Sequence, residues 1–158
     1  DEVFSSDTED EADGAQRLQA RVDRALALKQ DGNALLQGGQ VPEARAAYQQ
    51  ALALVWAPYR RPGSAQAAGA QAARELGTAL DLNLSLCALR LERWDAAQRS
   101  ASRALEASPG SAKALYRRGV AAARLGLLAG AEDDLRAAHR LAPSAEARRE
   151  LDAVIHRR

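Results

Sequence analysis

The chain has few of the residues that build β-sheets or disulfide frameworks. Its 158 residues include one cysteine and no methionine, and aromatic residues make up only 4%. Because strand-favouring residues are scarce while Ala, Leu, Arg, Glu and Gln are abundant, the composition predicts an all-α fold. A single cysteine, Cys87, excludes an internal disulfide and indicates a reducing compartment, so a cytoplasmic location is expected.

Long apolar runs and recognisable targeting segments are also absent. No stretch approaches the roughly 18 apolar residues of a membrane helix, and no charged start followed by an apolar run indicates a secretory signal. His139 and His156 lack partners at metal-ligand spacing, so neither a metal site nor a cofactor is expected. The absence of methionine leads us to expect a segment cut from a longer protein.

Acidic and basic residues are unevenly distributed. Residues 1–14 hold seven acids and no base, which leaves 22 bases and 14 acids, a net charge of +8, on the rest of the chain. Because residues 1–14 lack apolar periodicity, they are predicted to be a disordered acidic leader before one domain over 15–158. The basic body favours an anionic partner. The pair Arg60-Arg61 is too small a footprint to predict nucleic-acid binding.

Two stretches of the chain share one residue pattern 34 residues apart. The residues Ala97, Ala101, Ala104 and Pro109 recur as Ala131, Leu135, Ala138 and Pro143. This period, with small residues at fixed positions, is typical of the tetratricopeptide repeat (TPR), a pair of antiparallel helices. We therefore predict a right-handed superhelical TPR solenoid of three helix-turn-helix repeats and a C-terminal capping helix. The repeats are expected at about 25–57, 78–110 and 112–143, and the capping helix at 144–158.

The step from the first repeat to the second is 53 residues rather than 34. The extra segment is rich in Pro and Gly, so residues 57–69 are predicted to form a loop and the second helix to end before Pro58. Ser144 is predicted to cap the last helix. The helices between are expected at Ala70–Leu91, Trp94–Ala107, Ala112–Leu125 and Ala129–Leu141.

Polar residues on the first helix of each repeat form a set rich in hydrogen-bond donors. Lys29 and Asn33 lie four residues apart on one helix face, and Lys113 and Arg117 repeat this spacing. Asn83 interrupts the apolar run of the helix between them. Such a set offers many N–H donors and few acceptors, which suits anionic oxygens and carboxylates above all.

The segments that hold these residues resemble the carboxylate clamp of chaperone-binding TPR domains. The segments are LKQDGNALL, LDLNLSLCALRL and AKALYRRG, and all five clamp positions match, at Lys29, Asn33, Asn83, Lys113 and Arg117. The long first step is most similar to that of TPR-containing immunophilins of the FKBP type. The resemblance implies a non-catalytic co-chaperone module that binds the C-terminal Glu-Glu-Val-Asp tail of heat-shock protein 90 and/or heat-shock protein 70.

Simpler interpretations exist for each of these residues. The two lysines could be solvated surface charges, the two asparagines could bridge neighbouring helices, and Arg117 could pair with Glu132 or Asp133. At the level of function there are two alternatives. The chain could be the TPR part of a prolyl isomerase whose catalytic domain lies outside it. It could also be a general scaffold or an organelle import receptor.

Overall fold

The structure, a computed structural model, describes residues 3–61 and 69–158, with side chains from residue 8 onward. Within these ranges every regular element is an α-helix, and there are seven. They are α1 (Val3–Gln37), α2 (Val41–Arg60), α3 (Ala70–Arg90), α4 (Trp94–Ala107), α5 (Ala112–Arg124), α6 (Leu128–Leu141) and α7 (Ala145–Arg157). The predicted all-α fold is confirmed, and the predicted bounds of Trp94–Ala107 coincide with α4.

The chain divides into two compact units, Asp1–Leu80 and Asp81–Arg158, each of which is described by itself. In the first unit α1 packs against α2. Gly32 permits a close approach here, because a Cβ at this position would lie 2.6 Å from Cε1 of Tyr48. The buried residues of α1 and α2 include Leu18, Val22, Ala25, Ala44, Ala47, Tyr48, Ala51, Leu52 and Val55.

The start of α1 differs from the sequence prediction. Residues 3–14 form its first turns, so the expectation of a disordered leader is wrong for them, whereas residues 1 and 2 lie outside the described residues. Elongating a helix that already exists costs little, and the segment contains no proline to interrupt it.

The end of α2 also differs from the prediction. The helix continues through Pro58 to Arg60, and the backbone N–H of Arg61 donates to the carbonyl of Ala57. Tertiary packing explains the extension, because Tyr59 is buried and its ring lies where a Cβ on Gly77 would be only 2.3 Å away. Of the predicted loop, residues 62–68 lie outside the described residues.

The second unit contains α3 from Asp81 onward and all of α4 to α7. Ser111 and Ser144 cap α5 and α7, since their Oγ atoms accept the backbone N–H of Ala114 and Ala147. The predicted cap at Ser144 is therefore confirmed. One core cluster of this unit consists of Val120, Ala122, Ala123, Ala131, Leu135, Leu151 and Val154.

The ends of α1, α3 and α5 share one turn geometry. Gly39, Glu92 and Gly126 have φ angles of 78°, 56° and 79°, in the left-handed region. In each turn the next residue donates its N–H five residues back, as from Gln40 to the carbonyl of Leu35, which is the Schellman motif. These three positions reproduce the steps of 53 and 34 residues seen in the sequence. The repeat register is thus visible in the backbone itself.

Candidate functional site

In the first unit, α1 places two of the predicted site residues on one face. Lys29 is half-buried and Asn33 is exposed one helical turn later. Among the described residues Lys29 has no ion-pair partner. The Asn33 side chain is held from α2, because the Tyr48 hydroxyl donates a 2.6 Å hydrogen bond to its Oδ1 atom. The interpretation that Asn33 bridges two helices is therefore correct for its oxygen.

In the second unit, the other three residues lie on α3 and α5. Asn83 is half-buried on α3, and Lys113 is exposed in the first turn of α5. Nη1 of Arg117 donates a 2.7 Å hydrogen bond to the carbonyl of Leu82, the residue that precedes Asn83. This bond fixes the guanidinium of Arg117 at the backbone of α3, at the residue before Asn83.

Arg117 carries its positive charge without a carboxylate partner among the described residues. Burial of its guanidinium, and then repulsion from Arg90, lower the pKa of Arg117, while Cys87 acts in the opposite direction. The guanidinium still stays protonated at neutral pH. The alternative pairing with Glu132 or Asp133 is wrong, because Arg117 forms no ion pair with either among the described residues, and Glu132 pairs instead with Arg136 and Arg158.

Two other arginines of α5 form ion pairs with carboxylates. Arg118 forms an ion pair with Asp134 at 2.8 Å, and Arg124 forms one with Glu150 at 3.1 Å. The Asp134 contact raises the pKa of Arg118, which is the opposite of the shift at Arg117. Among the described residues, Arg118 and Arg124 thus have carboxylate partners, whereas Arg117 contacts a backbone carbonyl.

Arg90 belongs to the same positive region and was missed by the sequence analysis. It lies seven residues, or about two helical turns, after Asn83 on α3, and its charge reaches Arg117. Spacing along α3 could have identified it, because residues seven apart share a helix face. Its effect on Arg117, however, depends on the packing of α3 against α5.

A buried ion pair anchors α3 beside this region. Asp81, which is 0% exposed, accepts hydrogen bonds from Nη2 of Arg103 at 2.9 Å and from Nε at 3.1 Å. Ser85 occupies the position that is Gly32 and Gly119 in the other repeats. Its hydroxyl donates to the Leu82 carbonyl at 2.6 Å, the same oxygen that Arg117 contacts. The acceptor for Arg117 is therefore held in place from two sides.

A pocket of about 180 Å³ opens beside Lys113, between α5, α6 and the start of α7. Alanine side chains form much of its wall, and Glu146 and Tyr116 contribute polar groups. Burial, followed by the charges of Glu150 and Glu146, raises the pKa of Tyr116. The lysine thus lies next to a surface where small apolar groups can pack.

The described residues offer little for other chemistry. Cys87 is fully buried, as expected of a small core residue. Within residues 3–61 and 69–158, no group of three or more His, Cys, Asp or Glu side chains is arranged to hold a metal. In the same part of the chain, no helix has both the length and the apolar character needed to span a membrane.

Comparison with known proteins identifies the repeat and the fold. The family model described as tetratricopeptide repeat matches residues 82–146. A C-terminal TPR-containing domain of a Plasmodium falciparum FK506-binding protein superimposes with a TM-score of 0.81 at 23% identity, covering 89% of this chain and 91% of that one. The described chain thus has the tetratricopeptide repeat fold, and residues 82–146 match the repeat family itself. Repeats of this kind present surfaces for protein interaction.

Two further solved TPR domains contain bound peptides. The first TPR of Spaghetti (RPAP3), bound to the HSP90 peptide SRMEEVD, has a TM-score of 0.68 at 24% identity and covers 85% of this chain and 93% of that one. The second TPR domain of human RPAP3, in complex with the HSP70 peptide SGPTIEEVD, has a TM-score of 0.67 at 22% identity and covers 85% and 98%. At these identities the similarity establishes the fold of the TPR domain.

Among curated proteins, the relatives are of the FK506-binding type. Peptidyl-prolyl cis-trans isomerase FKBP42 of Arabidopsis thaliana is 32% identical over 154 residues, which is 96% of this TPR domain and 41% of that protein. The human FK506-binding protein-like protein is 44% identical over 79 residues, 49% of this domain and 23% of the relative. The chain thus spans less than half the length of each.

Proposed function

We propose that this TPR domain is a co-chaperone module that binds the C-terminal Glu-Glu-Val-Asp tail of heat-shock protein 90 and/or heat-shock protein 70. The residues proposed to hold the terminal carboxylates are Lys29, Asn33, Asn83, Lys113 and Arg117. The observation that carries the proposal is the state of Arg117, a desolvated cation beside Arg90 with no carboxylate partner among the described residues. The other two arginines of α5, Arg118 and Arg124, have carboxylate partners, so the charge of Arg117 is suited to an anion from outside the chain.

The chemistry of the tail matches the proposed donors. A terminal Asp presents two carboxylates, which can accept only hydrogen bonds when ionised. Lys113 and Arg117 supply charged donors in the second unit, and Lys29 and Asn33 supply donors in the first. Charged hydrogen bonds contribute about 1.5–3 kcal/mol each before ordering costs. A short tail should therefore bind at about micromolar strength, near −8 kcal/mol.

The similar domains support the same partner class. The two RPAP3 domains are bound to HSP90 and HSP70 peptides that both end in Glu-Glu-Val-Asp. The proposal extends that ligand to this chain on the basis of its five matching positions. It also places the domain in the cytoplasm, because the single cysteine fits a reducing compartment.

Calorimetry with these two peptides tests the proposal. We expect SRMEEVD or SGPTIEEVD with a free C-terminal carboxylate to bind, and the C-terminally amidated peptide to bind at least about 10-fold more weakly, as expected for loss of one charged contact. Arg117→Ala and Lys113→Ala should remove most of the affinity without unfolding the domain. Arg136→Ala, which removes an exposed arginine from a surface pair on α6, is the matched control.

The affinity should also fall as salt is added, because the contacts are ionic. Equal binding of free and amidated peptides, or unchanged titration by Arg117→Ala and Lys113→Ala, would overturn the proposal.

The relatives favour a second proposal about the parent protein. Identity of 32% with FKBP42 over nearly the whole chain suggests the TPR part of an FK506-binding-type prolyl isomerase, with the catalytic domain outside this chain. Sequencing the complete transcript tests this directly. A reading frame that encodes no isomerase domain would leave the binding proposal intact and remove this one.

A further inference from the structure

We propose that Tyr48 is a positioning residue of the clamp, whose hydroxyl orients the Asn33 amide so that N–H groups face the ligand carboxylate. The inference rests on the proposed function, because it assigns a role within the same site. It concerns the first unit alone, where α2 meets α1.

The Tyr48 ring lies against the backbone of α1. Gly32 makes this possible, since a Cβ there would be 2.6 Å from Cε1 and 2.9 Å from Cδ1 of the ring. Tyr48 itself is 0% exposed. The hydroxyl of this buried ring reaches Asn33, the residue next to Gly32, in a contact between side chains 15 residues apart.

In that contact the amide oxygen of Asn33 faces the Tyr48 hydroxyl, and the distance is that of a bond between two oxygens. The Tyr48 hydroxyl and Oδ1 of Asn33 are 2.6 Å apart. Hydrogen bonds between two oxygens span about 2.5–3.0 Å, whereas those between nitrogen and oxygen are usually 2.7–3.2 Å. With its oxygen held at the tyrosine, the Asn33 amide keeps its NH₂ group, a pure donor, off the hydroxyl. A carboxylate needs a donor of this kind.

The other repeats show that the fold itself does not require this hydroxyl. The positions equivalent to Tyr48 are Ala101 and Leu135, at steps of 53 and 34 residues. The positions equivalent to Asn33 are apolar as well, Leu86 and Val120. The hydroxyl and the amide therefore occur together, in the first repeat only.

The decisive variant is Tyr48→Phe, which keeps the ring and removes the hydroxyl. We expect the dissociation constant for free-acid SRMEEVD to rise about 3- to 10-fold, as for loss of one neutral hydrogen bond. In an Asn33→Ala background the same change should leave the dissociation constant unchanged. The matched control is Tyr59→Phe, which alters another buried tyrosine whose ring covers a helix glycine, Gly77. This control should bind like the wild type.

A second measurement does not depend on the peptide. In ¹⁵N-labelled free protein, Tyr48→Phe should shift the side-chain NH₂ resonances of Asn33, and Tyr59→Phe should not. The backbone spectrum of the same sample shows whether the variant is folded.

The outcomes separate this inference from the proposed function. A wild-type domain that binds neither peptide overturns both. A wild-type domain that binds, together with a Tyr48→Phe variant of equal affinity, overturns the positioning role alone. Unchanged Asn33 resonances in a folded Tyr48→Phe variant do the same.

Discussion

The buried ion pair between Asp81 and Arg103 leads to a graded prediction about stability. Three arginine–carboxylate pairs of the second unit differ in burial. The side chains of Arg103 and Asp81 are 24% and 0% exposed, those of Arg118 and Asp134 are 33% and 13%, and those of Arg148 and Asp152 are 62% and 56%. Truncating the arginine in each pair should therefore have very different costs.

The burial of each ion pair determines how much the free energy of unfolding should fall when its arginine is removed. Arg103→Ala leaves a carboxylate without its guanidinium where water cannot reach it, so the free energy of unfolding should fall by about 3–5 kcal/mol. Arg118→Ala removes charged hydrogen bonds from a partly solvated carboxylate and should cost about 1.5–3 kcal/mol. Arg148→Ala breaks an exposed pair within one helix turn and should cost less than about 1 kcal/mol.

Urea unfolding followed by circular dichroism measures all three variants. The double variant Asp81→Leu with Arg103→Met is the control, because replacing both charges by apolar groups should recover most of the loss. A cost of Arg103→Ala no larger than that of Arg148→Ala would refute the reasoning. So would a double variant as unstable as Arg103→Ala.

Two further predictions concern backbone geometry and close packing. Glu92→Gly should raise the free energy of unfolding by about 1 kcal/mol, because Glu92 has a φ of 56° that glycine adopts without steric cost. Glu92→Ala is the control, and an equal gain in the free energy of unfolding by urea for this variant would contradict the explanation. Gly119→Ala should lower the free energy of unfolding by about 1–3 kcal/mol, because its Cβ would lie 2.8 Å from Cγ of Leu135. Gly130→Ala is the control, because its Cβ would have nothing within 4 Å, and it should raise the free energy of unfolding by about 0.5–1 kcal/mol. Thermal unfolding measures both variants, and changes in melting temperature of the same sign would argue against this explanation from packing.

Local patterns in the sequence predicted most of the helices. The α4 bounds and the Ser144 cap follow from breakers and capping residues that act within a few positions. The end of α2 could not be predicted in this way. Pro58 indicates a break, but the chain continues as a helix because Tyr59 packs against the distant Gly77. Tertiary burial outweighed local propensity there.

The sequence predicted which residues form the candidate site but not the contacts that they make. Spacing identified Lys113 and Arg117 as neighbours on one helix face. It could not show that Arg117 contacts the Leu82 carbonyl, or that Arg90 repels it, because both depend on the packing of α5 against α3. The five-residue set remains a prediction for calorimetry to test.

The contact between Arg117 and the Leu82 carbonyl has a consequence for the entropy of binding. A free arginine side chain loses up to about 2 kcal/mol of rotational freedom when it is immobilised. Arg117 has already lost part of that freedom in folding, since one nitrogen of its guanidinium is tied to α3. A ligand that arrives finds the side chain oriented, so less of its binding enthalpy is offset by ordering. Peptide binding by the wild type should therefore be less entropically opposed than binding by Arg117→Lys, whose flexible side chain would still have to be fixed.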